Sequence, residues 1–200
     1  IILDNRYNKK PYATWPFRLQ SFLPESDFLG EEQWAWLEKT LAESKSDVNI
    51  IASGLQVLPE YRWQGENWAR FPLARARLMQ TIMRAGARES IILSGDVHFA
   101  EVSTALCRQK GGGRMVRELW DFTSSGLTHS WESAHAHLLP YFQFVFGVTP
   151  FKYMRGEVWT GMNIGVLDVH VPREGTPTAR VAILSPDGVV RLSADVDISG

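Results

Sequence analysis

Three short apolar runs alternate with two amphipathic stretches over the first half of the chain, and this order leaves few architectures open. The runs are Ile1-Ile2-Leu3, Val48 to Ser53 and Ser90 to Ser94. Each is short, rich in β-branched residues and closed by a turn signal, the pattern of a strand buried on both faces. Between them, Gly30 to about Ser44 places Trp34, Leu37 and Leu41 at i, i+3 and i+7, with Glu31, Glu32, Glu38 and Glu43 on the remaining surface. That spacing predicts a helix, and acids in its first turn suit the dipole. Pro72 opens a second helix to about Arg84, with Ala74, Leu78 and Ile82 as its apolar stripe. Strand, helix, strand, helix, strand is the order of an α/β fold with helices packed on a mainly parallel sheet.

The second half reads differently. Runs at 101–106, 115–122, 162–171, 178–184 and 189–197 predict strands, the last two joined by Ser185-Pro186-Asp187-Gly188, a hairpin-type turn that implies antiparallel pairing. Gly111-Gly112-Gly113 predicts a turn. Residues 4–28 mix polar and aromatic residues with Pro11, Pro16 and Pro24, which frustrates both periodicities and predicts an ordered loop. A second loop runs from Gly54 to Phe71. Trp15, Phe17, Phe28, Trp63, Trp68 and Phe71 concentrate in these two loops, either packing them down or lining a cleft, with packing the expectation.

With 21 basic and 22 acidic residues the chain has no overall attraction for nucleic acid or an anionic membrane, so a phosphate-handling site must be local. Cys107 is the single cysteine, which excludes a disulfide within the chain and a zinc site built from Cys pairs. No apolar stretch approaches the ~18 residues of a membrane span, and no signal-peptide pattern opens the sequence. Ile1-Ile2-Leu3 reads as the end of a buried strand, so the chain is expected to be cut within a domain.

Chemistry concentrates at Ile91-Ile92-Leu93-Ser94-Gly95-Asp96-Val97-His98. In extended backbone, residues i and i+2 point the same way. Asp96 and His98 would then share the crevice at the carboxyl end of a parallel strand, where α/β proteins bind ligands. They make half of a metal site, or else a turn-capping Asp and a hydrogen-bonded His. Glu101 is either an acceptor orienting the His98 ring or a plain strand-face carboxylate. Arg77, Thr81, Arg84 and Arg88 form a polar helical stripe, expected to be a solvated face. His135 and His137 face apart in a helix. No Gly-x-Ser-x-Gly elbow, P-loop or dinucleotide fingerprint is present.

Several segments carry a family resemblance. Leu3-Asp4-Asn5-Arg6-Tyr7, Leu29-Gly30-Glu31-Glu32-Gln33 with Trp36-Leu37-Glu38, and Ser94-Gly95-Asp96-Val97-His98 occur in order. Ser53-Gly54-Leu55-Gln56-Val57, Glu66-Asn67-Trp68 before Phe71-Pro72, and Ser124-Ser125-Gly126-Leu127-Thr128-His129 add to them. Together they resemble the later part of the PhoD-like alkaline phosphatase/phosphodiesterase family of calcineurin-like metallophosphatases, over about residues 1–170.

The resemblance implies part of a metallophosphatase-type β-sandwich, with mixed parallel and antiparallel sheets flanked by helices and metals where the sheets meet. Residues 1–200 would be the C-terminal part of that single domain. It implies metal-dependent hydrolysis of small-molecule phosphomonoesters or phosphodiesters by metal-activated water, with Asp96 and His98 as metal ligands. Asp96 stands where many relatives in the wider superfamily carry His, and this favours iron or calcium over zinc. No stable nucleic-acid partner and no membrane span are expected; such relatives are often exported.

For the chemistry itself, Arg6 would neutralise phosphoryl charge, its alternative being an ion pair with Asp4 or another loop carboxylate. His129 would donate a proton to the leaving alkoxide, or else make a structural hydrogen bond. The family's opening Gly-Asp and Asp-Asp-His type segments do not occur, and Asn5 replaces the usual Thr of Leu-Asp-Thr-Arg. Two side chains cannot hold a cation wanting roughly four to eight ligands, so this chain alone should bind metal weakly. The competing reading is a non-catalytic binding module in which Asp96 and His98 are vestiges.

Overall fold

The computed structural model describes residues 1–11, 26–60, 66–84, 89–108, 116–135, 138 and 156–198. The first half contains β1 (Ile2–Leu3), α1 (Gly30–Glu43), β2 (Val48–Ser53), α2 (Pro72–Met83) and β3 (Glu89–Ser94), as the sequence pattern predicts. A 3-10 turn, Trp68–Arg70, precedes α2. Then follow β4 (Ala100–Arg108), β5 (Val116–Ser124), a short α3 (Trp131–His135), β6 (Ile164–His170), β7 (Thr178–Leu184) and β8 (Val190–Asp197).

The strands form a five-stranded sheet of order β1-β2-β3-β5-β4 and a three-stranded sheet β6-β7-β8. The small sheet is antiparallel throughout. Its last turn closes as expected, with the Gly188 N–H donating to Ser185 O at 2.9 Å and Gly188 at φ +77°. In the large sheet β1, β2, β3 and β5 are parallel and β4 is antiparallel to β5. The antiparallel pairing expected in the second half holds for β4 with β5 and for β6, β7 and β8, and in addition β5 inserts between β3 and β4 and pairs parallel with β3. The reason lies in its alternation, since Leu119 packs toward the helices while Trp120 and Phe122 pack toward the small sheet. A strand buried on both faces belongs inside a sheet.

Three layers result. Trp34, Leu37 and Leu41 of α1 and Ala74, Leu78 and Ile82 of α2 cluster with Ile51, Ile92 and Leu119 on one face of the large sheet. On the other face Ile91, Val102, Trp120 and Phe122 meet Ala179, Val181 and Val196 of the small sheet. The small sheet does not cover all of that face. Ile2 is 80% exposed and Ile50 on β2 is exposed, while Ile164 and Val166 are exposed on the face of β6 opposite to Leu167 and Val169.

Phe28, Trp68 and Phe71 are fully buried, with Phe28 4.6 Å from Trp68 and 4.3 Å from Phe71 between ring centroids. They pack the loops down; Trp15, Phe17 and Trp63 lie outside the described residues, as do Gly111 to Gly113, Arg88 and His137. The solvated-face expectation for α2 is corrected at Arg77 and Thr81. Arg77 lies 4.5 Å over the Trp34 ring and donates to Glu31 at 2.7 Å and Glu38 at 3.3 Å, while Thr81 is buried. Arg77 and Thr81 line a seam between α1 and α2, while Arg84 is exposed as expected. The hydrogen bond from Arg77 holds the Glu31 carboxyl below its ordinary range.

Candidate active site at the strand ends

Parallel pairing brings the carboxyl ends of β1, β2, β3 and β5 to one edge, and the motif residues meet there. After β1, the Asp4 carboxylate accepts from the backbone N–H groups of Arg6 at 2.8 Å and Tyr7 at 3.0 Å. These bonds hold its carboxyl below the usual range. Gln33 of α1 clamps the same turn, accepting from Asp4 N at 2.8 Å and donating to Asp4 O at 3.0 Å. Asn5 is buried and its Oδ1 accepts the Gly54 N–H at 2.8 Å. Trp68 Nε1 donates to Ser53 Oγ at 3.2 Å, and Trp68 N donates to Gln56 O at 2.9 Å.

These ties aim Arg6 across the strand ends. Its guanidinium bridges Glu66 and Asp96, with Nη2 at 3.0 Å from Asp96 Oδ1. Lys9 Nζ donates to the other Glu66 oxygen at 3.3 Å. Partial burial raises the Glu66 carboxyl, yet the hydrogen bonds from Arg6 and Lys9 outweigh it and leave the group below its ordinary range. Arg6 therefore sits in an ion-pair network with Glu66 and Asp96, the pairing with a loop carboxylate that was its alternative, and its side chain is still 56% exposed.

β3 stops at Ser94, and residues 95–99 arch over the end of β5 to start β4 at Ala100. The premise of extended backbone is corrected here. Asp96 has φ +78° and His98 φ +62°, the only positive values outside glycine among the described residues. A residue with a Cβ is held there at a cost of about 1–2 kcal/mol, and such conformations cluster at functional sites. Both residues are exposed. His129, in the loop after β5, has its ring centroid 6.4 Å from that of His98 and its Nδ1 at 3.0 Å from Thr128 Oγ1.

Glu101 follows neither sequence reading in full. It lies on the strand but is completely buried beneath the arch, with Ser103 Oγ donating to it at 2.7 Å and Gln56 Nε2 at 3.3 Å. It belongs to a buried polar belt that sequence reasoning missed. At its centre Asp121 accepts from Ser94 Oγ at 2.6 Å and from the backbone N–H groups of Val57 and Leu58 at 2.8 Å each. The available signal was polarity at alternating positions, Asp121 and Thr123 on β5 opposite Ser103 and Glu101 on β4.

Asn163 fixes the loop that carries His129. Its Oδ1 accepts from Ser124 Oγ at 3.0 Å and from Gly126 N at 3.3 Å. A Cβ at Gly126 would fall 2.1 Å from Asn163 Nδ2 and 3.0 Å from Gly161 O. Gly126→Ala is thus expected to destabilise the protein by about 1–3 kcal/mol through overpacking, as a lowered thermal midpoint would record.

Among the described residues no group of three His, Cys, Asp or Glu side chains gathers as a metal cage. Asp96 and His98 supply a carboxylate oxygen and an imidazole nitrogen, donors that iron or manganese accept. They fit a cation as part of its coordination sphere and not as the whole.

The PhoD-like phosphatase family model matches residues 1–143. The chain belongs to the PhoD-like phosphatase family. A solved structure titled "Structure of PhoD" is similar in fold, with a TM-score of 0.57 and 14% sequence identity over 98% of this chain. This PhoD-like chain spans 38% of the length of that protein. No curated protein sequence matches it. The layered mixed α/β architecture agrees with the fold that the resemblance implies.

Proposed function

We propose that this chain is part of a metal-dependent hydrolase of small phosphomonoesters or phosphodiesters. The observation that carries this reading is the arch, where Asp96 and His98 stand exposed in strained backbone beside Arg6 and His129. Family membership supports phosphoester hydrolysis in general terms. Asp96 and His98 would hold the cation; iron or calcium suits the oxygen-rich donor set better than zinc. When bound, such a cation supplies Lewis acidity toward phosphoryl oxygens and makes water more acidic.

The remaining roles fall to the chain's own groups. Arg6, oriented by Glu66, offers guanidinium N–H groups to an anionic phosphoryl oxygen. With His129 Nδ1 engaged by Thr128, Nε2 is the nitrogen that gives a proton to the leaving alkoxide. The test is metal content and rate in Asp96 and His98 variants of the intact protein.

Residues 1–200 act, in this reading, as the C-terminal part of a larger domain that supplies the other ligands. The exposed Ile2 and Ile50 support it, because an uncovered apolar ledge at the β1 edge of the large sheet invites a further layer. The 200 residues alone are expected to melt over a broad transition, with a van't Hoff enthalpy below the calorimetric one. A sharp two-state melt as a monomer would overturn this division.

A further inference from the structure

Trp131 opens α3 and reaches back to the arch with two donors. Its backbone N–H donates to His98 O at 3.0 Å, and its indole Nε1–H donates to Val97 O at 2.7 Å. The feet of the arch are held separately. Ser94 Oγ is bonded to Asp121 at 2.6 Å, and Ala100 exchanges backbone hydrogen bonds with Trp159 at 2.8 and 2.9 Å.

Fixed feet do not determine the path between them. The peptide joining Val97 to His98 carries the Val97 carbonyl, and rotating it changes ψ of Val97 and φ of His98 together. That flip is the simplest way for His98 to leave φ +62° and recover the strain of the left-handed region. It would swing the Val97 carbonyl away from the indole and break the 2.7 Å bond. The second bond, from Trp131 N to His98 O, fixes the peptide that follows. A strained conformation persists only where its surroundings over-determine it, and one residue supplies both restraints on His98.

We infer that Trp131 is a positioning residue that locks the Val97–His98 peptide, keeps the His98 imidazole beside His129, and so sets the metal affinity of the arch. The metal part rests on the function proposed above; the conformational part does not. Partners of this kind change metal affinity by about 10–100-fold when removed.

The experiment uses the intact protein with Trp131→Phe, which removes the indole donor and keeps an aromatic ring. A parallel protein carries benzothienylalanine at position 131, which keeps the bicyclic shape without the N–H and serves if the Phe variant folds poorly. Crystal structures give φ at His98, and Mn2+ titration followed by electron paramagnetic resonance gives the affinity of a probe cation. The expected result is His98 at negative φ and Mn2+ binding about tenfold weaker. His98 remaining at positive φ in both proteins overturns the inference, including where the thermal midpoint falls, since that marks a purely structural role. If the parent protein binds no Mn2+, the metal reading has failed, and φ at His98 alone decides the positioning role.

Discussion

Asp96→Asn and His98→Ala, each made in the intact protein, are expected to lower bound metal and phosphoesterase rate together, the rate by on the order of 100-fold or more. Removing groups that merely orient a ligand costs about 10–100-fold, so removing a ligand itself should reach at least the upper end. The two substitutions differ usefully in their side effects. Asn tolerates positive φ better than most residues and keeps an oxygen that can accept from Arg6 Nη2, so Asp96→Asn changes charge with little change in backbone. Ala at position 98 tolerates φ +62° less well and loses the imidazole besides. A thermal melt of each separates loss of fold from loss of metal. Unchanged metal content in both would remove the pair from the site.

The sequence pattern carried most of the elements because burial is periodic. Trp34, Leu37 and Leu41, spaced as a helix requires, are all buried in α1, and the β3 run is almost continuously buried as an interior parallel strand must be. The convergence of the segments around Arg6, Gln33, Gly54, Trp68 and Asp96 was legible only through resemblance, since their hydrogen bonds join residues 12 to 90 positions apart. What failed were inferences that took a local conformation as given. Residue spacing at 94–98 says nothing about φ, and the turn over β5 forces Asp96 and His98 out of extended geometry. Arg77 looked solvated because helix spacing shows which residues share a face, not that α1 brings Trp34, Glu31 and Glu38 against it. The short α3 lacked any long apolar stripe, and its use for Trp131 depends on contacts from the arch.

Asp121 should matter most for stability. It is completely buried, and its two oxygens accept three hydrogen bonds, two of them from the backbone of the Val57–Leu58 segment. Asp121→Ala strands those donors in the interior at about 1–3 kcal/mol each, a large part of a typical total of about 5–15 kcal/mol. Asp121→Asn is expected to cost much less. Its Oδ1 can take the two N–H groups while its amide donates to Ser94 Oγ, whose own hydroxyl turns to Thr123 Oγ1 at 2.9 Å. The Asn variant also removes a titration. Burial pushes the Asp121 carboxyl above its ordinary 3.8, against the lowering effect of its three hydrogen bonds. The folded protein therefore keeps a proton that the unfolded chain releases from about pH 4 upward, and its stability relative to Asp121→Asn should fall as pH rises through the folded value and then level off. Denaturant unfolding of both proteins across that range measures the difference. A difference that grows with pH would mean that the hydrogen bonds outweigh desolvation and that the arch stands on a stabilised anion.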